Sequence, residues 1–380
     1  SLDRRQRQMC IRDRALAAGL GLFLELAIIR IHSSYFQLFA YFKNLSLLSC
    51  FLGLGIGYSF SKVRLYSLNW TFPLVALQVS FMYILKDTPI TLFFQNPISE
   101  IWNMGQSIAV GSLHVILIYF FISIIFLFNA LVFIPLGHLV ARLMLNTDPL
   151  KAYSYDLLGA IAGIGLFTIL SFLWTGPTVW LIISFSILIF FQFNLKLNIK
   201  FSCITFVILI LSLNLFNDTS KMDLHSPYQN VSVKFNNNQL VPITVQSNNI
   251  WLQTPIDLSN EINQEKNIAW HKFYIIPFTS TNYDFKDILI VGSGTGNDVA
   301  TAIRYSKGNI DAVEIDPLVA NLGEKFHPEN PYSNSRVNLI INDARNFIKE
   351  IDKKYDLIVY SVLDSHANLS SKGGVRLCLL

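Results

Sequence analysis

The chain has 380 residues, of which 52% are hydrophobic and 14% charged, and its formal net charge is +4. Ordinary globular proteins carry about 25% charged residues, so this composition excludes a uniformly soluble enzyme, a disordered protein and a coiled coil. Residues 1–220 hold 14 Lys and Arg and 8 Asp and Glu, whereas the remainder holds 15 and 17. We therefore predict a lipid-embedded block followed by a soluble domain. Since the soluble part is nearly neutral, nucleic acid is not an expected partner.

The N-terminal segment 1–14 contains five Arg residues. One interpretation is a basic cytoplasmic leader that orients the first helix. The other is a sequencing scar, because residues 9–13 resemble a translated library adapter and residues 378–380 resemble its opposite strand. Under the second interpretation we expect a truncated reading frame that lacks later strands and is catalytically inactive.

Seven runs are read as transmembrane helices, which need about 20 mostly apolar residues. They lie in a predicted transmembrane domain over residues 15–217, at about 15–33, 40–60, 68–85, 110–138, 156–174, 178–194 and 201–217. Small residues at Gly53 and Gly57, and at Gly159 and Gly163, predict close helix contacts.

Two charged residues, Glu25 and Arg30, fall within the first span. Charge at membrane depth usually faces the interior of a helix bundle and marks a functional site. The alternative is that the two side chains pair with each other and only fix helix packing.

The loops that follow even-numbered spans carry most of the basic residues, which places these loops in the cytoplasm. Seven spans would then put the C-terminal domain outside, in conflict with the cytosolic nucleotide ligand that a glycine-rich turn in that domain, at 292–296, predicts. A re-entrant segment or a hidden span at 87–107, or a miscount within 110–143, would remove the conflict. We give the nucleotide ligand more weight than the distribution of basic residues in the loops, and we expect the C-terminal domain in the cytoplasm.

The soluble part begins with a β-rich preface over residues 218–285, and the remainder, 286–380, alternates strands and helices. Alternation at this spacing predicts a doubly wound, Rossmann-like parallel sheet. The predicted strands lie at 231–235, 242–246, 250–253, 287–291, 311–314, 338–341 and 355–360. The fold class is therefore an α-helical membrane bundle followed by an α/β domain with a small β preface.

A glycine-rich turn follows the first strand of the predicted parallel sheet, with Gly292, Gly294 and Gly296 at alternate positions. Glycines let the backbone approach a ligand closely. Glu314 stands 18 residues after Gly296, at the end of the next strand, where an ionised carboxylate can accept both ribose hydroxyls. The Gly-x-Gly-x-Gly spacing differs from the dinucleotide pattern and favours an adenosyl ligand over NAD.

The third strand of the predicted sheet is followed by Asp343 and Ala344, which we also assign to ligand binding. Asp343 is placed to accept from an adenine amino group. It can equally cap the helix that starts at Ala344, and the two roles are compatible. We predict no metal site.

Residues 226–371 resemble the spermidine synthase (polyamine aminopropyltransferase) branch of the S-adenosylmethionine-dependent methyltransferase fold. The resemblance lies in Ser-Pro-Tyr-Gln at 226–229, Val-Glu-Ile-Asp at 313–316 and Tyr-Asp-Leu-Ile-Val at 355–359. It implies that Gln229 contacts the nucleoside. The segments 23–30, 39–44 and 155–160 resemble multi-pass spermidine-synthase-like proteins of bacteria, which implies a location in the bacterial inner membrane.

The sequence departs from that family at its acidic positions. Thr295 stands where aminopropyltransferases carry an aspartate in the glycine loop, and Ser361 stands at the first of two acids after the fourth strand. Asp364 remains and is the expected general base, since the acceptor amine must lose its proton before it attacks. Alternatively, Asp364 only caps the following loop.

Three functions stay open. The first is a membrane-anchored aminopropyltransferase that uses decarboxylated S-adenosylmethionine and a small-molecule amine. The second is a methyltransferase that uses S-adenosylmethionine and an unknown acceptor. The third is a transport or scaffold protein of the lipid bilayer with a regulatory nucleoside-binding domain. A second copy of the chain, forming a homodimer, also stays an open partner.

Overall fold

A computed structural model describes residues 2–36, 38–39, 42–60, 68–88, 111–144, 149–215, 220–238, 240–280 and 282–361. These residues form two compact units that divide at residue 218. The first unit is helical and the second is mixed α/β. Most of the segment 87–107, which bears on the predicted topology, lies outside the described residues.

The described part of the first unit contains one helix for each predicted span. They are α1 (Leu2–Tyr35), α2 (Lys43–Ser59), α3 (Thr71–Leu85), α4 (Ser112–Met144), α5 (Pro149–Phe172), α6 (Pro177–Asn194) and α7 (Lys200–Leu215). Among these residues, five stretches are long and apolar enough to cross a membrane, and α2 and α7 are shorter apolar helices. The helix α1 begins well before the predicted span at residue 15, since residues 2–14 contain no Gly or Pro to break it.

The predicted small-residue contacts are confirmed. A Cβ atom added at Gly57 of α2 would overlap the carbonyl oxygen of Ile134 in α4. One added at Gly163 of α5 would overlap the carbonyl oxygen of Gly19 in α1. The other glycine of each pair is equally close to the same partner helix. Glycine therefore lets two pairs of backbones approach closely.

The interpretation in which Glu25 pairs with Arg30 is wrong. Arg30 donates from Nη1 to Oγ of Ser171 at 2.9 Å, and its guanidinium lies 5.3 Å from the ring centroid of Trp180. Glu25 is 2% exposed, and its Oε2 has no hydrogen-bond partner. Five residues of helix rotate a side chain by about 140° relative to the first, so the two groups lie on different faces of α1.

Buried polar side chains link the first four helices. His32 of α1 is 3.0 Å from Oγ of Ser46 in α2 and 3.0 Å from Nε2 of Gln78 in α3. Asn129 of α4 donates to Oγ of Ser49 in α2 at 2.6 Å. Each of these side chains thus has at least one partner in the apolar interior, whereas Oε1 of Gln78 and Oδ1 of Asn129 have none among the described residues.

The second unit opens with an antiparallel sheet in the order β1-β2-β3-β4. Its strands are β1 (Lys221–His225), β2 (Asn230–Phe235), β3 (Ile243–Ser247) and β4 (Ile250–Gln253). Asn248 and Asn249 join β3 to β4 with φ of 48° and 65°, which is the geometry of a two-residue hairpin turn. The sequence did not predict β1.

The rest of the unit is an α/β arrangement with a parallel sheet in the order β7-β6-β5-β8. Its elements are α8 (Glu261–Lys266), α9 (Ile268–Thr279), β5 (Asp287–Val291), α10 (Asn297–Tyr305), β6 (Asn309–Glu314), α11 (Pro317–Phe326), β7 (Val337–Ile341), α12 (Ala344–Glu350) and β8 (Leu357–Tyr360). The parallel, alternating architecture predicted from the sequence is confirmed. The chain turns from β6 and β7 on one side of β5 to β8 on the other, so ligands are expected where β5 and β8 end.

The central strand β5 is buried on both faces. Ile288 and Ile290 pack with α10, whereas Leu289 and Val291 pack with α12. Both-face burial explains why this strand is a continuous apolar run. The antiparallel sheet packs separately, through residues such as Val231 of β2, against Leu318 of α11.

Candidate functional site

The glycine turn between β5 and α10 has the backbone geometry that its sequence predicts. Gly292, Gly294 and Gly296 have φ of 75°, 58° and 104°, a region that other residues rarely adopt. The N–H groups of Gly292 and Ser293 both donate to the carbonyl oxygen of Val313, at 2.8 and 3.0 Å. The turn is therefore fixed to the end of β6.

Glu314 ends β6 directly beside this turn. Its Oε2 accepts from the N–H of Gly294 at 2.8 Å, and its Oε1 accepts from the N–H of Asp316 at 2.9 Å. Burial raises the pKa of Glu314, and the two backbone donors oppose that shift. A carboxylate has about four acceptor positions, so two protein donors leave capacity for ribose hydroxyls. The ribose contact stays a prediction.

Gln229 lies close to the same strand end. Its Nε2 donates to Oδ2 of Asp316 at 2.9 Å, and its Oε1 accepts from Oγ of Ser247 at 2.6 Å. Ser226 also donates to Oδ2 of Asp316, at 2.8 Å. Asp316 in turn caps α11. These bonds hold the β1–β2 turn beside Glu314, and the contact of Gln229 with a nucleoside stays a prediction.

The end of β4 and the loop after it cover the glycine turn. The Oε1 atom of Gln253 accepts from the N–H of Thr295 at 2.7 Å. Asn297 donates to the carbonyl oxygen of Thr254 at 2.9 Å and accepts from the N–H of Ile256 at 3.1 Å. Gln253 and Asn297 were not predicted as site residues, although Asn297 stands directly after Gly296 in the chain.

Asp298 was not predicted as a site residue either. It lies in the first turn of α10 and is 7% exposed. Its Oδ2 accepts from Oγ of Ser361 at 2.7 Å. Burial raises the pKa of Asp298, and the bond from Ser361 opposes the shift. A carboxylate thus lies where β5 and β8 end, which is the ligand-binding position of open α/β sheets.

Asp343 and Ala344 follow β7 as predicted. Oδ1 of Asp343 accepts from the N–H groups of Arg345 and Asn346 at 2.9 and 3.1 Å, so Asp343 caps α12. The capping role is therefore present, whereas the contact with adenine stays a prediction. Asp364, the predicted general base, lies outside the described residues. Within the described part of the chain, no group of three His, Cys, Asp or Glu can hold a metal ion.

The site is strongly acidic. Asp298, Glu314 and Asp316 are 7%, 8% and 1% exposed. In the part of the chain that the structure describes, no Lys, Arg or His forms an ion pair with any of them. Burial without a cationic partner disfavours the charged form of a carboxylate, in agreement with the raised pKa of Asp298 and of Glu314.

Comparison with known proteins places a matching domain over the same region. Residues 271–372 match the family described as Spermine/spermidine synthase domain. The polyamine aminopropyltransferase of Buchnera aphidicola subsp. Acyrthosiphon pisum is 41% identical over 83 residues, which is 21% of this chain and 29% of the relative. That of Clostridium perfringens is 30% identical over 106 residues, or 27% and 38% of the two chains. The chain spans about two fifths or less of the length of the curated relatives it matches.

Two solved structures are also similar to part of the chain. Spermidine synthase from Thermotoga maritima has 15% identity and a TM-score of 0.30, with 36% of this chain and 44% of that chain covered. A spermidine synthase in complex with the transition state analogue AdoDATO has 16% identity and a TM-score of 0.28, covering 35% and 42%. Likenesses this distant carry no further argument. The sequence match and the parallel sheet together make the C-terminal part of the chain spermidine-synthase-like.

Proposed function

We propose that this protein is a membrane-anchored transferase that moves an aminopropyl group from decarboxylated S-adenosylmethionine to an amine. The observation that carries the proposal is a set of three buried carboxylates: Asp298 in the first turn of α10, which follows β5, and Glu314 and Asp316 at the end of β6. Among the described residues, no cation forms an ion pair with any of them. The similarity of residues 271–372 to a spermine/spermidine synthase domain supports the same reaction.

The charge of the site favours the decarboxylated donor. That donor carries a sulfonium and a protonated amine and has no carboxylate, so both of its charges are attracted by the acids. S-adenosylmethionine adds a carboxylate, which would meet Asp298, Glu314 and Asp316 without a paired cation among the described residues. Like charges at close range disfavour binding.

The transfer needs an acceptor amine without its proton. The amine nitrogen then attacks the carbon next to the sulfonium, the carbon–sulfur bond breaks, and its electron pair stays on sulfur as a neutral thioether. The nitrogen gains the positive charge that the sulfur loses. We assign Glu314 and Gln229 to hold the nucleoside, with the glycine turn at Gly292, Gly294 and Gly296 closing around it. Asp364 is the proposed general base.

Membrane anchoring is the second part of the proposal. Its support is the five stretches of the helical unit that are long and apolar enough to span a bilayer, and the buried glycine contacts between helices. The bilayer is that of a bacterial inner membrane, with the α/β unit in the cytoplasm, where polyamines and adenosyl donors are available.

A transfer assay tests the function. The full-length protein in lipid nanodiscs is incubated with 1,4-diaminobutane and with donors labelled either in the aminopropyl group or in the methyl group. We expect label in the amine only from the decarboxylated donor. Methyl label on an acceptor would assign the alternative methyltransferase activity. Absence of both transfers, with solute flux that depends on Glu25, would assign the transport alternative.

A further inference from the structure

Asp298 and Ser361 lie side by side although 63 residues separate them in the chain. Asp298 is in the first turn of α10, and Ser361 directly follows β8. The N–H of Ser361 donates to the carbonyl oxygen of Val291 at 3.1 Å, which continues the hydrogen bonding between the two strands one residue past the end of β8. The pair therefore lies beside the glycine turn, between β5 and β8, where the order of the strands in the sheet reverses.

The folded structure provides little that stabilises the charged form of the Asp298 carboxylate. Its hydrogen-bond donor is the Ser361 hydroxyl, and it is nine-tenths buried. Among the described residues no cation pairs with it. An acid in the first turn of a helix is favoured by the helix dipole, but an exposed acid would obtain the same benefit without loss of hydration. A buried acid at this position indicates a ligand that supplies the missing charge.

Two phenols lie within electrostatic range of this carboxylate. Burial raises the pKa of Tyr274 and of Tyr332, and the charge of Asp298 raises both further. Tyr332 also donates to the carbonyl oxygen of Gly294 at 2.7 Å, which places it against the glycine turn.

We propose that Asp298 and Ser361 form the binding subsite for the ammonium group of the acceptor amine. The assignment rests on the proposed function and adds a residue to it, since the acids expected from the sequence were Glu314 and Asp364. Ser361 holds the carboxylate in place through its hydroxyl. One ammonium N–H then donates to Asp298, while the other charged end of a diamine extends away from the subsite.

The test measures binding of two probes to the full-length protein in nanodiscs. Calorimetry records the affinity for 5′-methylthioadenosine, the thioether product, and then the affinity for 1,4-diaminobutane with that product present. The variants are Asp298→Asn, which removes the charge at nearly constant shape, Asp298→Glu, which restores it, and Ser361→Ala. Asp352→Asn is the matched control, because Asp352 is exposed on the surface of the same unit.

We expect Asp298→Asn to weaken diamine binding at least tenfold and to leave thioether affinity within twofold of the wild type. Asp298→Glu should recover part of the loss, and Ser361→Ala should weaken diamine binding by a smaller factor. The control should match the wild type. Thermal unfolding of each variant verifies that the fold is retained, and Ser361→Ala tests the subsite if Asp298→Asn is unfolded.

Unchanged diamine affinity in Asp298→Asn overturns the subsite. An equal loss of both ligands overturns it as well, because that result describes a structural role. If the wild type binds the thioether but no diamine, the subsite is wrong while nucleoside binding stands. If the wild type does not bind the thioether, the proposed function itself is wrong and the subsite falls with it.

Discussion

The backbone N–H of Gly294 donates a 2.8 Å hydrogen bond to Oε2 of Glu314, 20 residues further along the chain. The same carboxylate also accepts from the N–H of Asp316. The acid predicted to hold a ribose therefore also fixes the shape of the turn that closes on the ligand. Loss of this carboxylate should disturb ligand binding in two ways, through a lost contact and through a misplaced turn.

Glu314→Gln should weaken binding of 5′-methylthioadenosine at least tenfold. The amide of Gln replaces one acceptor oxygen with an N–H donor, which then faces a backbone N–H. Hydrogen bonds to charged groups contribute about 1.5–3 kcal/mol each, so this loss is large. Titration calorimetry measures the effect. Glu350→Gln is the control, since Glu350 is exposed at the end of α12. Equal affinities in wild type and Glu314→Gln would remove Glu314 from the site.

Gly163→Ala should destabilise the helical unit, whereas Gly165→Ala should not. Both residues lie on α5, but a Cβ at Gly163 would overlap the backbone of Gly19 and one at Gly165 would meet nothing within 4 Å. Alanine also has the higher helix propensity, so Gly165→Ala should leave stability equal or slightly higher. Thermal unfolding in detergent compares the two. Equal unfolding temperatures would contradict the α1–α5 contact.

His327 should make the α/β unit less stable in mild acid. Its Nε2 is 3.0 Å from Oδ1 of Asn297, and its Nδ1 accepts from the N–H of Glu329 at 3.1 Å. Burial, aided by the charge of Arg304, lowers the pKa of His327 to about 3, from 6.5. Between these pH values His327 is protonated in the unfolded chain and neutral in the folded chain. Stability from this group is therefore complete above pH 6.5 and is lost progressively as the pH falls towards 3.

His327→Gln tests the size of that dependence. Glutamine retains an N–H donor for Asn297 but does not titrate, so the variant should lose less stability than the wild type between pH 6.5 and 4. This group alone can change the unfolding equilibrium by up to tenfold per pH unit. Denaturant unfolding followed by Trp fluorescence gives the two slopes. Parallel pH profiles would mean that His327 is protonated in the folded protein.

The location of the α/β unit can be tested by labelling. With the native cysteines replaced, Lys349→Cys places a single thiol on the exposed surface of α12. A membrane-impermeant maleimide should label it in inverted vesicles and not in intact cells. Labelling of intact cells would place the unit outside the cytoplasm and would support the odd number of spans that the sequence predicts.

Regular elements could be predicted from the sequence because periodicity and glycine placement are local signals. The predicted helices and the parallel strands correspond to helices α1–α7 and strands β5–β8, although α1 and α5 begin well before the predicted residues 15 and 156. β1 was missed because Lys221, Asp223 and His225 alternate with only Met222 and Leu224. An edge strand that packs so little apolar surface gives a weak pattern.

The side-chain partnerships could not be predicted, since they join residues that are distant in the chain. Nothing local to Asp298 indicates that Ser361 will donate to it. Likewise the turn that carries Gln229 is anchored by Asp316, 87 residues away. Glu25 and Arg30 are close in sequence, but the helical rotation between them separates their side chains. Spacing alone predicted the glycine turn and Glu314, because both belong to one strand–turn–helix–strand unit.

The most direct test of the account compares two donors in one binding experiment. Titration calorimetry on the full-length protein in nanodiscs measures decarboxylated S-adenosylmethionine and S-adenosylmethionine at the same pH and salt concentration. The buried acids at Asp298, Glu314 and Asp316 predict at least tenfold tighter binding of the decarboxylated donor. Equal or tighter binding of S-adenosylmethionine, or no heat with either donor, would contradict the proposed function.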